Sequence, residues 1–260
     1  MTYTIPPQTK KNSPYTLVAA AIAFALQWNS PAMALDHSHA SFTEILQQQV
    51  TTGRVNYRAL RADQAPLKRY LDTLAAIDKS EFSAWNKQQQ MVYLTNLYNA
   101  ATLKLIVDHY PVDSIKDIGS FFSGPWSQKV VRLFGEVITL DNVEHDILRE
   151  DYQEARLHFA LVCAAKGCPP LRAEAYDASR FTEQLDEQGK IYMSNSSINR
   201  VANNGSKLYL SKIFDWFSGD FVKQSGSVVA FVTPYLPNGN AISSDPTVRY
   251  SDYDWSLNNQ

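Results

Sequence analysis

The longest helix that this sequence permits limits most strongly what the chain can fold into. It runs from about Trp85 to His109, with Ser83 available as its N-cap. Tyr110-Pro111 ends it, because the residue before a proline avoids helical angles. Two shorter helices precede it. In Phe42 to Val50, capped by Ser41, one face carries Phe42, Ile45, Leu46 and Gln49. The second is built on Leu67, Tyr70, Leu71, Leu74 and Ile77 at three- and four-residue steps, and Gly53 to Tyr57 between the two reads as extended.

The pattern changes after the long helix. Val130 to Leu140 reads as a hairpin folded at Phe134-Gly135. Asp141 and Glu144 have the spacing of a capping box that opens a fourth helix, ending near Tyr152. The nearly all-apolar Leu157 to Cys163 predicts a buried central strand. Asn203-Asn204-Gly205 marks a second hairpin, Ser211 and Ser227 cap short helices, and Tyr253 and Trp255 anchor a polar tail. Helices first and a mixed region after them predict an α+β fold. The expectation is a single domain, with N-terminal helices packed on a small mixed or antiparallel sheet.

The N-terminus reads as a secretory signal over residues 1–34, leaving one domain over residues 35–260. Lys10 and Lys11 precede the ten-residue apolar run Leu17 to Leu26, and Ala32-Met33-Ala34 supplies a small-x-small cleavage site. Asn29, Ser30 and Pro31 stop the run well short of the ~20 apolar residues of a membrane span. Leu35 in place of a cysteine after the cleavage site argues against a lipid anchor. The expected product is exported, periplasmic or extracellular, without a stable membrane anchor. Cleavage removes two lysines and no acid, taking the net charge from −2 to −4. Such a charge argues against binding nucleic acid by phosphate neutralisation. Two cysteines cannot build a disulfide-dense scaffold, and 45% apolar residues are enough for an ordinary core.

Several segments have a family likeness. Asn96-Leu97-Tyr98-Asn99-Ala100, then Tyr110-Pro111 and Ser114-Ile115, form the first. Leu140-Asp141-Asn142-Val143-Glu144-His145 with Ile147-Leu148-Arg149 forms the second. His158-Phe159-Ala160-Leu161-Val162-Cys163 with Gly167-Cys168-Pro169 forms the third. In this order they resemble the signatures of the domain of unknown function 547 family, and Tyr253 to Asn258 also fits its bacterial members. The resemblance runs through the whole mature chain. It implies an exported or modular globular domain and brings no activity with it.

Chemistry must therefore come from the signature residues. Glu144, His145, His158, Cys163 and Cys168 fall within 25 residues, although the chain has only five histidines and two cysteines. One reading is a thiol-dependent hydrolase or acyl transferase acting on peptides or thiol-containing small molecules. Cys163 would be the nucleophile, His145 its base and Glu144 the group that orients the base, a part that Asp141 or Asn99 would serve as well. The other reading is a non-catalytic ligand- or protein-binding module, in which a Cys163–Cys168 disulfide pins a loop. Export favours the disulfide, while a buried free cysteine would act as a small hydrophobe. His158 reads equally as a site residue and as a satisfied core histidine.

Asn96 and Asn99 share a face of the long helix, either as a polar cleft wall or as a buried network. Phe121, Phe122 and Trp126 are loop aromatics that fit a recognition surface or a lid. No metal is expected, since of the four zinc-type ligands only the cysteine pair has a spacing near known knuckles. No cofactor is expected either: the sequence has no phosphate loop, dinucleotide fingerprint or G-x-S-x-G motif. The expected partner is a small molecule or peptide. N-terminal sequencing of the exported protein is expected to begin at Leu35, and a start at Met1 would contradict the signal reading.

Overall fold

The long helix α5, Lys87–His109, is buried through its middle. From Val92 to Val107 only Lys104 stays outside the buried set, so other elements cover the middle of this helix on nearly every side. Its start is set by Asn86 rather than Ser83. Asn86 Oδ1 accepts from the Gln89 amide, and Gln89 Oε1 accepts from the Asn86 amide, a reciprocal capping box. Ser83 belongs to a separate short helix, α4 (Lys79–Ala84), where its hydroxyl donates to the Lys79 carbonyl. Tyr110 ends α5 in an extended conformation, as its proline neighbour requires.

The computed structural model describes Met1, residues 35–120 and residues 123–260. Residues 2–34, which hold the expected signal, and the loop aromatics Phe121 and Phe122 lie outside the described residues. Residues 35–260 form one α+β unit with three small sheets. Helices α2 (Tyr57–Ala62) and α3 (Ala65–Ala75) pack on α5, and α1 (Ala40–Gln49) packs on α2 and α3. Ser41 does not cap α1. Asp36 Oδ2 accepts from the Ala40 amide instead, while His39 enters the helix in a left-handed conformation. Strands β1 (Val50–Thr51) and β2 (Arg54–Val55) make the first hairpin. Its Gly53 lies at φ +78°, where a Cβ would meet Pro170 at 2.3 Å, so the position requires glycine twice over.

The second hairpin, β3 (Lys129–Leu133) and β4 (Glu136–Thr139), turns at Phe134-Gly135 as the sequence predicts, with both turn residues at positive φ. The third sheet pairs β5 (Arg200–Ala202) with β6 (Lys207–Leu210), antiparallel, and β6 with β7 (Thr247–Tyr250), parallel.

Two sequence expectations fail between these sheets. Asp141 is already helical and makes no capping bond, so there is no capping box with Glu144. Asn142 takes that role through Thr139, and α6 (Asn142–Tyr152) winds as a wide π-type helix. Leu157 to Cys163 is not a central strand. Leu157–Ala160 forms one helical turn, α7, and the chain leaves it extended outside any sheet. A short all-apolar run does not distinguish a buried strand from a buried helical segment.

Segment 157–161 sits between two cores. Leu157, Ala160 and Leu161 join the core around α5. Phe159 joins a second core with Tyr192, Phe214, Phe221 and Phe231. These come from α8 (Phe181–Met193), α9 (Ile213–Trp216), α10 (Ser218–Ser225) and α11 (Val228–Val232). Side chains of α5 fix this arrangement. Asn99 Nδ2 donates to the Ala160 carbonyl at 3.0 Å, and its Oδ1 accepts from the Val162 amide at 3.0 Å. One turn earlier, Asn96 binds both the carbonyl and the amide of Tyr176, at 2.8 and 3.0 Å. Both amides are 1% exposed or less, so neither could be replaced by water. Replacing Asn99 by Leu strands a buried carbonyl and a buried amide. We expect a loss of about 1–3 kcal/mol by urea denaturation; an unchanged midpoint would contradict the clamp.

Candidate functional site

The C-terminal tail completes the site. The amides of Lys166 and Gly167 donate to the Ser256 and Asp254 carbonyls, and the Asn258 amide donates to Ala164. The Val55 amide donates to the Asn258 carbonyl, and Tyr57 Oη to Asn258 Oδ1 at 2.8 Å. The tail is thus laced between the first hairpin and the loop Ala164 to Gly167, which carries Tyr253 and Trp255 to the cysteines.

A cavity of ≈ 230 Å³ opens there. Cys163, Cys168, His145, His158, Glu144 and Asp141 line it. The sequence points to all six, Asp141 only as an alternative partner for His145, and α6 with its preceding residue, α7 and the following loop bring them together. Asn96 and Asn99 do not line it; their amides are consumed by the main chain of Tyr176 and of Ala160 and Val162. The rest of the wall is apolar and largely aromatic: Tyr98 from α5, Trp126, Trp216 and Phe217 at the end of α9, and Tyr253 and Trp255 of the tail, with Leu161, Pro169 and Ile213 between them. Trp216 and Trp255 are near-parallel with centroids 5.8 Å apart, and Tyr253 packs on both.

The two sulfurs lie at disulfide-bonding distance, with Cα atoms 6.1 Å apart, within the span a disulfide bridges. The Cys163 amide donates to Cys168 Sγ at 2.9 Å, and Tyr253 Oη lies 3.0 Å from Cys163 Sγ. Burial pushes the Tyr253 phenol well above its ordinary value, so it stays a neutral hydroxyl.

His145 is engaged elsewhere. Arg149 Nη1 lies 3.1 Å from His145 Nδ1, and a guanidinium can only donate. Nδ1 therefore accepts, and the neutral ring carries its proton on Nε2, 3.8 Å from Asp141 Oδ1. The basic lone pair faces Arg149 rather than a thiol. Glu144 does not orient this ring either; its Oε2 accepts from Tyr98 Oη at 2.8 Å.

The oriented imidazole of the site is His158. Its Nε2 donates to Asp220 Oδ2 at 2.7 Å, and its ring stacks on Phe217 at 4.2 Å. Arg149 clamps the same carboxylate through Nε at 2.6 Å and Nη2 at 3.0 Å. Burial alone would raise the Asp220 carboxyl, but the hydrogen bonds from His158 and Arg149 reverse this and hold it far below the usual carboxylate range. Asp220 lies 62 residues from His158, on α10, and nothing local in the sequence marks it. Among the described residues, no group of three or more His, Cys, Asp or Glu is placed to hold a metal ion.

The depressed Asp220 carboxyl sets a pH dependence. Its stabilisation is complete above the unfolded-state value of about 4 and is lost as pH falls through the lower folded value. Asp220→Asn is expected to cost about 1.5–3 kcal/mol at pH 7. That difference from wild type should shrink as the pH is lowered below about 4. Urea melts across this range check it, and a pH-independent difference would contradict the assignment.

No curated protein and no solved structure matches the chain. One family model does, over residues 82–193, a span that holds α5, the second hairpin, α6 and both cysteines but stops short of Tyr253 to Asn258. The chain carries a domain of the family described as "Protein of unknown function, DUF547".

Proposed function

We propose that this chain is an exported ligand-binding module. Its cavity takes a small organic molecule, and Cys163–Cys168 is a structural disulfide. One observation carries the reading: segments far apart in the sequence converge on a single aromatic-walled cavity, whose rim is fixed by two sulfurs at bonding distance. Small-molecule sites have this composition, a mostly apolar wall with a few placed polar groups. Export is supported by the N-terminal apolar run and by the cysteine pair, which suits an oxidising compartment. Among the described residues no helix is long and apolar enough to cross a membrane.

A thiol-dependent hydrolase or acyl transferase is the second reading. It is favoured by Cys163, His145 and Glu144 lining the same cavity. The reading needs a reduced Cys163, because the thiolate is the nucleophile. It also favours His158, oriented by Asp220, over His145 as the base.

Indole N–H resonances separate the two. Trp126, Trp216 and Trp255 line the cavity, while Trp85 packs against His37, Phe82 and Tyr93 and serves as internal reference. In a fragment screen of the oxidised protein, bound fragments are expected to shift the first three and leave Trp85 in place. If no fragment moves them at millimolar concentration, and the reduced protein alkylates Cys163 faster than Cys168 with iodoacetamide, the enzyme reading takes over.

A further inference from the structure

Resting on the binding reading above, we propose that the cavity is built for an organic ammonium ion. An apolar or aromatic body would be held against the packed cluster of Trp216, Trp255 and Tyr253, and its cationic nitrogen directed at Glu144 and Asp141.

Three observations point this way. The first is the charge of the wall. Glu144 and Asp141 line the cavity, and no lysine or arginine does among the described residues. Arg149, 3.1 Å from the lining His145, is held by Asp220 and His145. An anion entering here would meet two carboxylates with no lining cation to offset them.

The second is the hydrogen-bonding state of the polar groups. The Tyr98 hydroxyl donates to Glu144 Oε2, and Trp126 hydrogen-bonds that same hydroxyl. The Tyr253 hydroxyl pairs with Cys163 Sγ. Both wall hydroxyls are thus committed. Glu144 Oε1 carries no hydrogen bond among the described residues, and Asp141 keeps only Ser127 and a long approach from His145. Apart from the His145 Nε2–H, the unmet capacity is that of carboxylate acceptors, which an N–H-bearing cation satisfies better than a neutral hydroxyl, because hydrogen bonds between charged partners are the stronger ones. Tyr98 holds Glu144 in position, so the acceptor is preorganised.

The third is the use that the fold already makes of these rings. Lys116 Nζ lies 4.9 Å from the Trp255 ring centroid, and the Arg149 guanidinium 5.0 Å from that of Phe217. Two aromatic residues of the wall thus take a cation within the protein itself. Indole rings provide the strongest such faces, and three indoles line this cavity. A carbohydrate would also stack on tryptophan, but it needs paired donors and acceptors, and the two hydroxyls that offer both are occupied.

The test uses matched probes on the oxidised full chain. Benzylammonium is compared with benzyl alcohol and benzoate, each followed through the indole resonances of Trp126, Trp216 and Trp255. Benzylammonium is expected to bind at least tenfold more tightly than the alcohol, and benzoate more weakly than both. Glu144→Gln should remove most of the amine's advantage while leaving the affinity for the alcohol. Trp255→Leu should weaken both. Equal or tighter binding of the alcohol or of benzoate overturns the ammonium assignment and leaves the binding reading standing. So does an amine preference that survives in the Glu144→Gln, Asp141→Asn double variant. If none of the three probes binds while other fragments shift the same indoles, the ammonium assignment alone fails. If no fragment of any kind does, the binding reading fails with it.

Discussion

One side chain of the longest helix holds the site together. Asn99 bridges the Ala160 carbonyl and the Val162 amide, and both of its hydrogen bonds lie in the protein interior. This bridge lets segment 157–163 be neither strand nor continuous helix. The extended residues after α7 have no sheet partner, and buried main-chain groups need one. A carboxamide presents one donor and one acceptor side by side and so substitutes for a neighbouring strand. Asn96 repeats the device for Tyr176. With the segment pinned, His158 points to Asp220, Phe159 enters the second core, and Cys163 reaches the cavity.

Elements dominated by local physics were readable in the sequence. The end of α5 at Tyr110-Pro111, the Phe134-Gly135 turn and the Ser227 cap of α11 follow from backbone preferences that hold without tertiary context. Capping was less readable where several polar residues competed. Ser83 and Ser41 lost to Asn86 and Asp36, because capping depends on where the preceding chain arrives. Leu157 to Cys163 was misread for a different reason: its conformation is imposed by Asn99, about 60 residues away. Half of the site was legible, since the signature residues Glu144, His145, His158, Cys163 and Cys168 do share a cavity. Their pairing was not. His145 faces Arg149, Glu144 faces Tyr98, and the imidazole with a carboxylate partner is His158.

The geometry gives the site two unlike halves. On one side, Arg149, Asp220 and His158 form a charge-assisted network whose bonds are satisfied within the protein. On the other, Glu144 and Asp141 keep acceptor capacity beside three indoles. The cysteine loop and the tail join them, since Gly167 packs against Tyr253 and the loop amides hold the tail. The first half fixes the orientation of His158 at the cavity wall. The second half is where its chemical selectivity would arise.

The central claim is that α5 fixes segment 157–163 through side-chain amides rather than through a sheet. Native-state hydrogen exchange at the Val162 and Tyr176 amides tests it most directly. Each donates to an Asn side chain of α5, at Asn99 and Asn96 respectively. Both should exchange only through global unfolding, with the same free energy and denaturant dependence as amides in the middle of α5. Exchange of either through a low-energy local opening, with α5 still protected, would contradict the account.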